Sequence, residues 1–96
     1  MDVDVGAGRA TTGYWIAPGH RRQGYARAAL ATLTGWAFTF PEIARLQLHV
    51  EPRNEGSSRT AESCGYQREG LLRSWEQVGS ERKDMFVYSV VRSAAG

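Results

Sequence analysis

Residues 14–29, YWIAPGHRRQGYARAA, join a short apolar run to an alanine-rich helical pattern through a basic turn that contains glycine. A strand that feeds a helix in this way leaves the first N–H groups of the helix without intrahelical partners. Those donors, with the positive end of the helix dipole, suit an anion such as phosphate. Gly24 lets the backbone come close to a ligand, and the small Ala26 keeps side-chain bulk away from it. Arg21 and Arg22 add screened attraction, while Gln23 and Tyr25 flank the glycine. The spacing fits neither Gly-x-x-x-x-Gly-Lys-Ser/Thr nor Gly-x-Gly-x-x-Gly. What stands here is Arg21-x-x-Gly24-x-Ala26, and the plain alternative is an ordinary turn carrying a solvated arginine pair.

The elements that must position this turn follow from periodicity. Residues 1–11 carry Gly6 and Gly8 and little pattern, so they read as a tail or the remnant of a turn. A strand is expected over 12–17, broken by Pro18-Gly19. A helix follows over about 25–40, with Ala26, Ala29, Leu30, Leu33, Ala37 and Phe40 as its buried stripe and Pro41 as its stop. Residues 45–51 alternate, with Leu46, Leu48 and Val50 on one side and Gln47 and His49 on the polar other. A second helix is expected over 55–64, with Asn54 as a fair N-cap and Gly65 as the C-terminal glycine. Strands over 66–77 and 83–91 close the chain as a hairpin. The last is apolar on both sides and so interior to its sheet. The order strand–helix–strand–helix–strand–strand gives an α/β (α+β) fold, and the crossover helix makes the first two strands parallel.

Several motifs in this order resemble the GNAT superfamily of N-acetyltransferases. Arg21-x-x-Gly24-x-Ala26 is similar to its acyl-CoA pyrophosphate loop. Asn54, Ser57 and Gly65-Tyr66 match a second signature, Asn-x-x-Ser followed by Gly-Phe/Tyr, with Glu69-Gly70 a few residues on. The run Arg82–Ser89 resembles the last strand of the branch that acetylates ribosomal-protein N-termini and related small amines. The resemblance implies a partial GNAT fold: residues 12–92 form the acyl-CoA-binding half, in a mixed sheet whose two parallel strands splay apart, and 93–96 form a tail. It implies acetyl-CoA as cofactor, with the pantetheine arm lying in the splay like an added strand. Trp15, Ile16 and Ala17 would then offer main-chain partners to the arm, and the N–H groups of residues 22–26 would hold the pyrophosphate.

Within that reading, an N–H near Ile16 or Ala17 could polarise the thioester oxygen. His49 or Glu51, at the end of the second strand, could take the proton from the amine directly or through water. A histidine on the polar face of a strand is, however, commonly just solvated. Asn54 could bond the amides of the arm or simply cap its helix, and Ser57 could bond a carbonyl or phosphate or merely fill the first turn. Tyr25 serves equally as packing residue or ligand contact. Several relatives carry a tyrosine general acid four residues before the Gly-Phe/Tyr pair, where this chain has Ala61. Cys64 reads as a buried structural thiol and Asp84 as an anchor of the final hairpin. With no strong base in view, an acceptor amine of low pKa is favoured, such as a protein N-terminus or a small molecule.

Composition bounds the rest. A chain of 96 residues with 42% hydrophobic content is expected to form one globular domain near the lower limit of self-sufficient size. One cysteine allows no internal disulfide and no cysteine-rich metal site, and no metal is expected. A net charge of +2 without a broad basic face argues against nucleic acid. With no apolar run of bilayer length and no leader, the expectation is a cytoplasmic protein without membrane contact. The complete family fold has about as much chain again before Gly13, which leaves the 12–17 strand with an open edge. The chain is therefore expected to be a homo-oligomer or a fragment of a longer product, active as an enzyme or a catalytically silent acyl-CoA-binding remnant.

Overall fold

The computed structural model describes residues 2–4, 6–17 and 23–92. Its elements are β1 (Asp2–Asp4), β2 (Arg9–Tyr14), α1 (Gln23–Ala37), β3 (Arg45–Val50), α2 (Glu55–Ser63), β4 (Gln67–Val78) and β5 (Glu81–Val91). One mixed sheet runs β1-β2-β3-β5-β4. β2 and β3 are parallel, as a crossover through α1 requires, and every other pairing is antiparallel. β5 lies between β3 and β4, the interior place its two-sided apolar pattern predicts.

Burial explains why these residues hold together. Leu46, Leu48 and Val50 of β3 have no exposed surface and meet Leu30 and Ala37 of α1 and Ala61 of α2. Tyr88 of β5 joins them, its hydroxyl donating to Glu62 Oε2 at 2.8 Å. The α1 stripe is narrower than its periodicity suggested. Ala26, Leu30 and Ala37 are buried and Leu33 is half-buried, but Ala29 and Phe40 face solvent. The helix also ends before Pro41, because after Phe38 the chain tightens into turns with Thr39 N–H on Trp36 O and Phe40 N–H on Ala37 O. Gly65, at φ +87°, closes α2 where an L side chain would be strained.

Three expectations change at the N-terminal side. Residues 1–11 are more than a tail: β1 pairs antiparallel with the start of β2, matching Asp2 with Thr11 and Asp4 with Arg9. β2 is Arg9–Tyr14 rather than 12–17, since Ala10 is the residue that enters the core opposite Leu46. The edge expected to be open is therefore covered over Arg9–Thr11. The proposed turn at residues 18–22, including Arg21 and Arg22, and the tail 93–96 lie outside the described residues.

Candidate active site

The site begins where β2 and β3 part. Gly13 at φ +71° makes a bulge, so the register runs Thr11 to Gln47 and then jumps to Tyr14 opposite His49. One rung remains: Trp15 N–H donates to the His49 carbonyl at 2.8 Å. A parallel ladder would continue with Glu51 N–H on the Trp15 carbonyl, and among the described residues that bond is not formed. The strands splay at this point.

α2 wedges the gap. Ser57, fully buried, accepts Ala17 N–H on Oγ at 2.8 Å. Ser57 thus latches the departing chain to α2. The N–H groups of Trp15 and Ala17 are both taken, which removes them as partners for an incoming arm. The Ile16 N–H and the carbonyls of Trp15, Ile16 and Ala17 have no hydrogen-bond partner among the described residues. Asn54 does cap α2, accepting Ser57 N–H on Oδ1 at 3.2 Å. Its amide nitrogen is left without a partner among the described residues.

The first turn of α1 supplies the next part. Gln23, Gly24, Tyr25 and Ala26 open the helix, so their N–H groups have no carbonyl one turn back within it. Tyr25 is exposed and Ala26 fully buried. Gly24 is exposed, and a methyl built on it would meet no described residue within 4 Å. Its φ lies outside the left-handed region, so neither backbone conformation nor packing among the described residues demands glycine here. Side chains at a helix start tilt towards the N-terminal mouth. A glycine that the protein itself does not require fits a mouth kept clear for a bulky anion.

On the sheet face away from the helices, Glu51 sits at the end of β3. Tyr14 Oη donates to its Oε2 at 3.3 Å, while Arg53 Nε at 3.4 Å and Lys83 Nζ at 3.8 Å flank Oε1. Burial, then Glu51, raise the Tyr14 phenol above its ordinary pKa. Glu51 and Lys83 help line an open groove of about 290 Å³ with Pro52, Arg53, Arg82 and Asp84. Lys83 also holds Glu81 at 2.6 Å.

His49 is not solvated, contrary to the polar-face expectation: only 5% of it is exposed. Trp75 of β4 lies edge-on to its ring, with centroids 5.9 Å apart. The bend that swings Trp75 there is Ser74 at φ +49°, whose N–H donates to Asp84 Oδ1 at 2.8 Å and whose carbonyl accepts from Arg82. Asp84 does anchor the hairpin. Burial pushes the His49 imidazole below its ordinary pKa, with Glu76 opposing. Cys64 is only half-buried, its Sγ 3.4 Å from the Arg27 carbonyl. Tyr14, Gln47, Trp75 and Lys83 were invisible as site residues because no single strand's pattern contains a partner's register.

Comparison with known proteins follows this geometry. The family model described as Acetyltransferase (GNAT) domain matches residues 1–67. The chain belongs to the GNAT acetyltransferase family, whose members use acetyl-CoA. It is 32% identical over 90 residues to the uncharacterized N-acetyltransferase p20 of Bacillus licheniformis, covering 94% of this chain and 51% of that protein. It is 33% identical over 84 residues to the uncharacterized N-acetyltransferase YoaA of Bacillus subtilis, covering 88% and 48%. Among solved structures, the Microcin C7 self immunity acetyltransferase MccE in complex with Acetyl-CoA and AMP superposes with a TM-score of 0.76. That match has 27% identity and covers 93% of this chain and 49% of MccE. The chain spans about half the length of the curated relatives it matches.

Proposed function

We propose that this chain is the cofactor-binding half of an acetyl-CoA-dependent N-acetyltransferase that passes the acetyl group directly to a primary amine. The observation that carries the reading is the missing rung between Glu51 N–H and the Trp15 carbonyl, latched open by Ser57. Backbone groups facing an open gap are what an amide-bearing pantetheine arm can pair with in the manner of an extra strand. Acetyl-CoA supplies an activated thioester.

The chain's own groups then divide the work. The Ile16 N–H and the carbonyls around it hold the arm, and the Asn54 amide nitrogen bonds one of its amides. The N–H groups of residues 22–26 take the diphosphate, with Arg21 and Arg22 adding charge. Hydrogen bonds to a charged acceptor contribute about 1.5–3 kcal/mol each, so three or four suffice without a lysine in the loop. Glu51 accepts the amine proton. An α-amino group with pKa near 7.7–8.0 costs about 1 kcal/mol to neutralise at pH 7, against about 4–5 for lysine. The acceptor is accordingly a low-pKa amine, in keeping with the ribosomal-protein branch that the motifs resemble.

A second reading, binding without transfer, draws support from Ala61. Its methyl is fully buried at the position where several relatives carry a tyrosine acid. Thiol release from acetyl-CoA across a panel of α-amines, polyamines and lysine peptides separates the two. Turnover with α-amines supports the enzyme, and binding with no release on any amine supports the remnant.

A further inference from the structure

A chain of hydrogen bonds crosses the sheet face away from the helices, and its direction can be assigned from donors that have no choice. Glu69 accepts both guanidinium nitrogens of Arg45, NH1 at 3.0 Å on Oε2, and also the Ser89 hydroxyl at 2.7 Å. Arg45 NH2 further reaches Gln47 Oε1 at 2.9 Å. A guanidinium only donates, so the atom facing it must be the amide oxygen. The other end of the Gln47 amide is therefore its NH2, which lies 2.9 Å from His49 Nε2. An amide nitrogen also only donates, so Nε2 must be the accepting nitrogen of the ring. In a neutral imidazole the proton then sits on Nδ1.

We infer that Gln47, oriented by the Arg45–Glu69 pair, is a positioning residue that fixes His49 as the Nδ1–H tautomer, making His49 a hydrogen-bond donor rather than the proton acceptor of the site. The lone pair needed for base chemistry is spent on Gln47, and withdrawing it leaves a half-buried amide unpaired. Of the two groups expected to take the amine proton, Glu51 alone keeps free lone pairs. The role, though not the tautomer, rests on the acetyltransferase reading. The tautomer is a property of the chain without any ligand, so its test is independent of whether acetyl-CoA binds.

Long-range ¹H–¹⁵N correlation spectra of the ¹⁵N-labelled chain read the protonated nitrogen directly, with His49 assigned against an H20Q variant. Free histidine in neutral water favours Nε2–H, so a reversed ratio is diagnostic. One net hydrogen bond shifts the ratio by up to about tenfold against the free preference, so the wild type is expected to show Nδ1–H in the majority. In Q47E a carboxylate oxygen faces Nε2, and Nε2 should become protonated. R45M, at a half-buried position on the sheet face, leaves Gln47 free to turn and should bring the ratio towards parity. A wild type with Nε2–H in the majority, a Q47E spectrum that keeps Nε2 unprotonated, or an R45M ratio unchanged from wild type would each overturn the assignment.

Discussion

Gly24 permits a test in which stability and binding move in opposite directions. The residue is exposed in the first turn of α1, at a φ outside the left-handed region, and an added Cβ meets no atom of the described residues within 4 Å. Alanine therefore fits, and it restricts the unfolded chain while favouring the helix. The general gain is about 0.5–1 kcal/mol, and the first turn puts it near the lower end. For a domain of this size, about 0.5 kcal/mol corresponds to a rise of roughly 2–4 °C in Tm. The same methyl tilts towards the mouth of the helix, where the diphosphate would approach main-chain N–H groups. Loss of one such charged hydrogen bond, at about 1.5–3 kcal/mol, weakens CoA binding by roughly 10- to 150-fold. Thermal denaturation followed by circular dichroism, with calorimetric titration of CoA into both proteins, measures the two effects. A G24A protein that melts higher and binds CoA as tightly as wild type would show that no diphosphate rests on this turn.

Other consequences follow from the same contacts. S57A removes the acceptor of the half-buried Ala17 N–H and should cost about 0.5–1.5 kcal/mol in urea unfolding. The carboxyl of Glu69 is held down to about 2 by its bonds from Arg45 and then Ser89. Because the folded value lies below the unfolded one, its contribution is complete above about pH 4.5 and is lost as pH falls towards 2. The pair is substantially solvated, so E69Q should destabilise by no more than about 1 kcal/mol at pH 7, and the gap to wild type should close by pH 2 in parallel denaturant melts. A self-associating chain, the expectation for half of a larger fold, should show concentration-dependent sedimentation between micromolar and millimolar protein.

Local pattern carried much of this. The alternation of Leu46, Leu48 and Val50 gave β3 and its buried face, and Gly65 and Asn54 marked the ends of α2. The apolar run Met85–Val91 placed β5 inside the sheet. What failed depended on contacts distant in sequence. Asp-Val-Asp has no signal for a strand until Arg9–Thr11 offers a partner, so β1 looked like a tail. His49 is polar in a polar row. Its burial comes from Trp75, twenty-six residues on, turned by a non-glycine residue at positive φ that Asp84 and Arg82 hold in place. The contact of the Ser57 hydroxyl with the Ala17 N–H across the splay likewise joins residues forty apart in the chain.

In this reading the parted strands and the first turn of α1 together receive acyl-CoA. Amide ¹H–¹⁵N spectra of the labelled chain during addition of CoA test it residue by residue. Saturable shifts are expected at Ile16 and at Gly24, Tyr25 and Ala26, with β4 and the outer hairpin unmoved. Spectra unchanged at millimolar CoA, or shifts confined to surfaces away from this mouth, would contradict it.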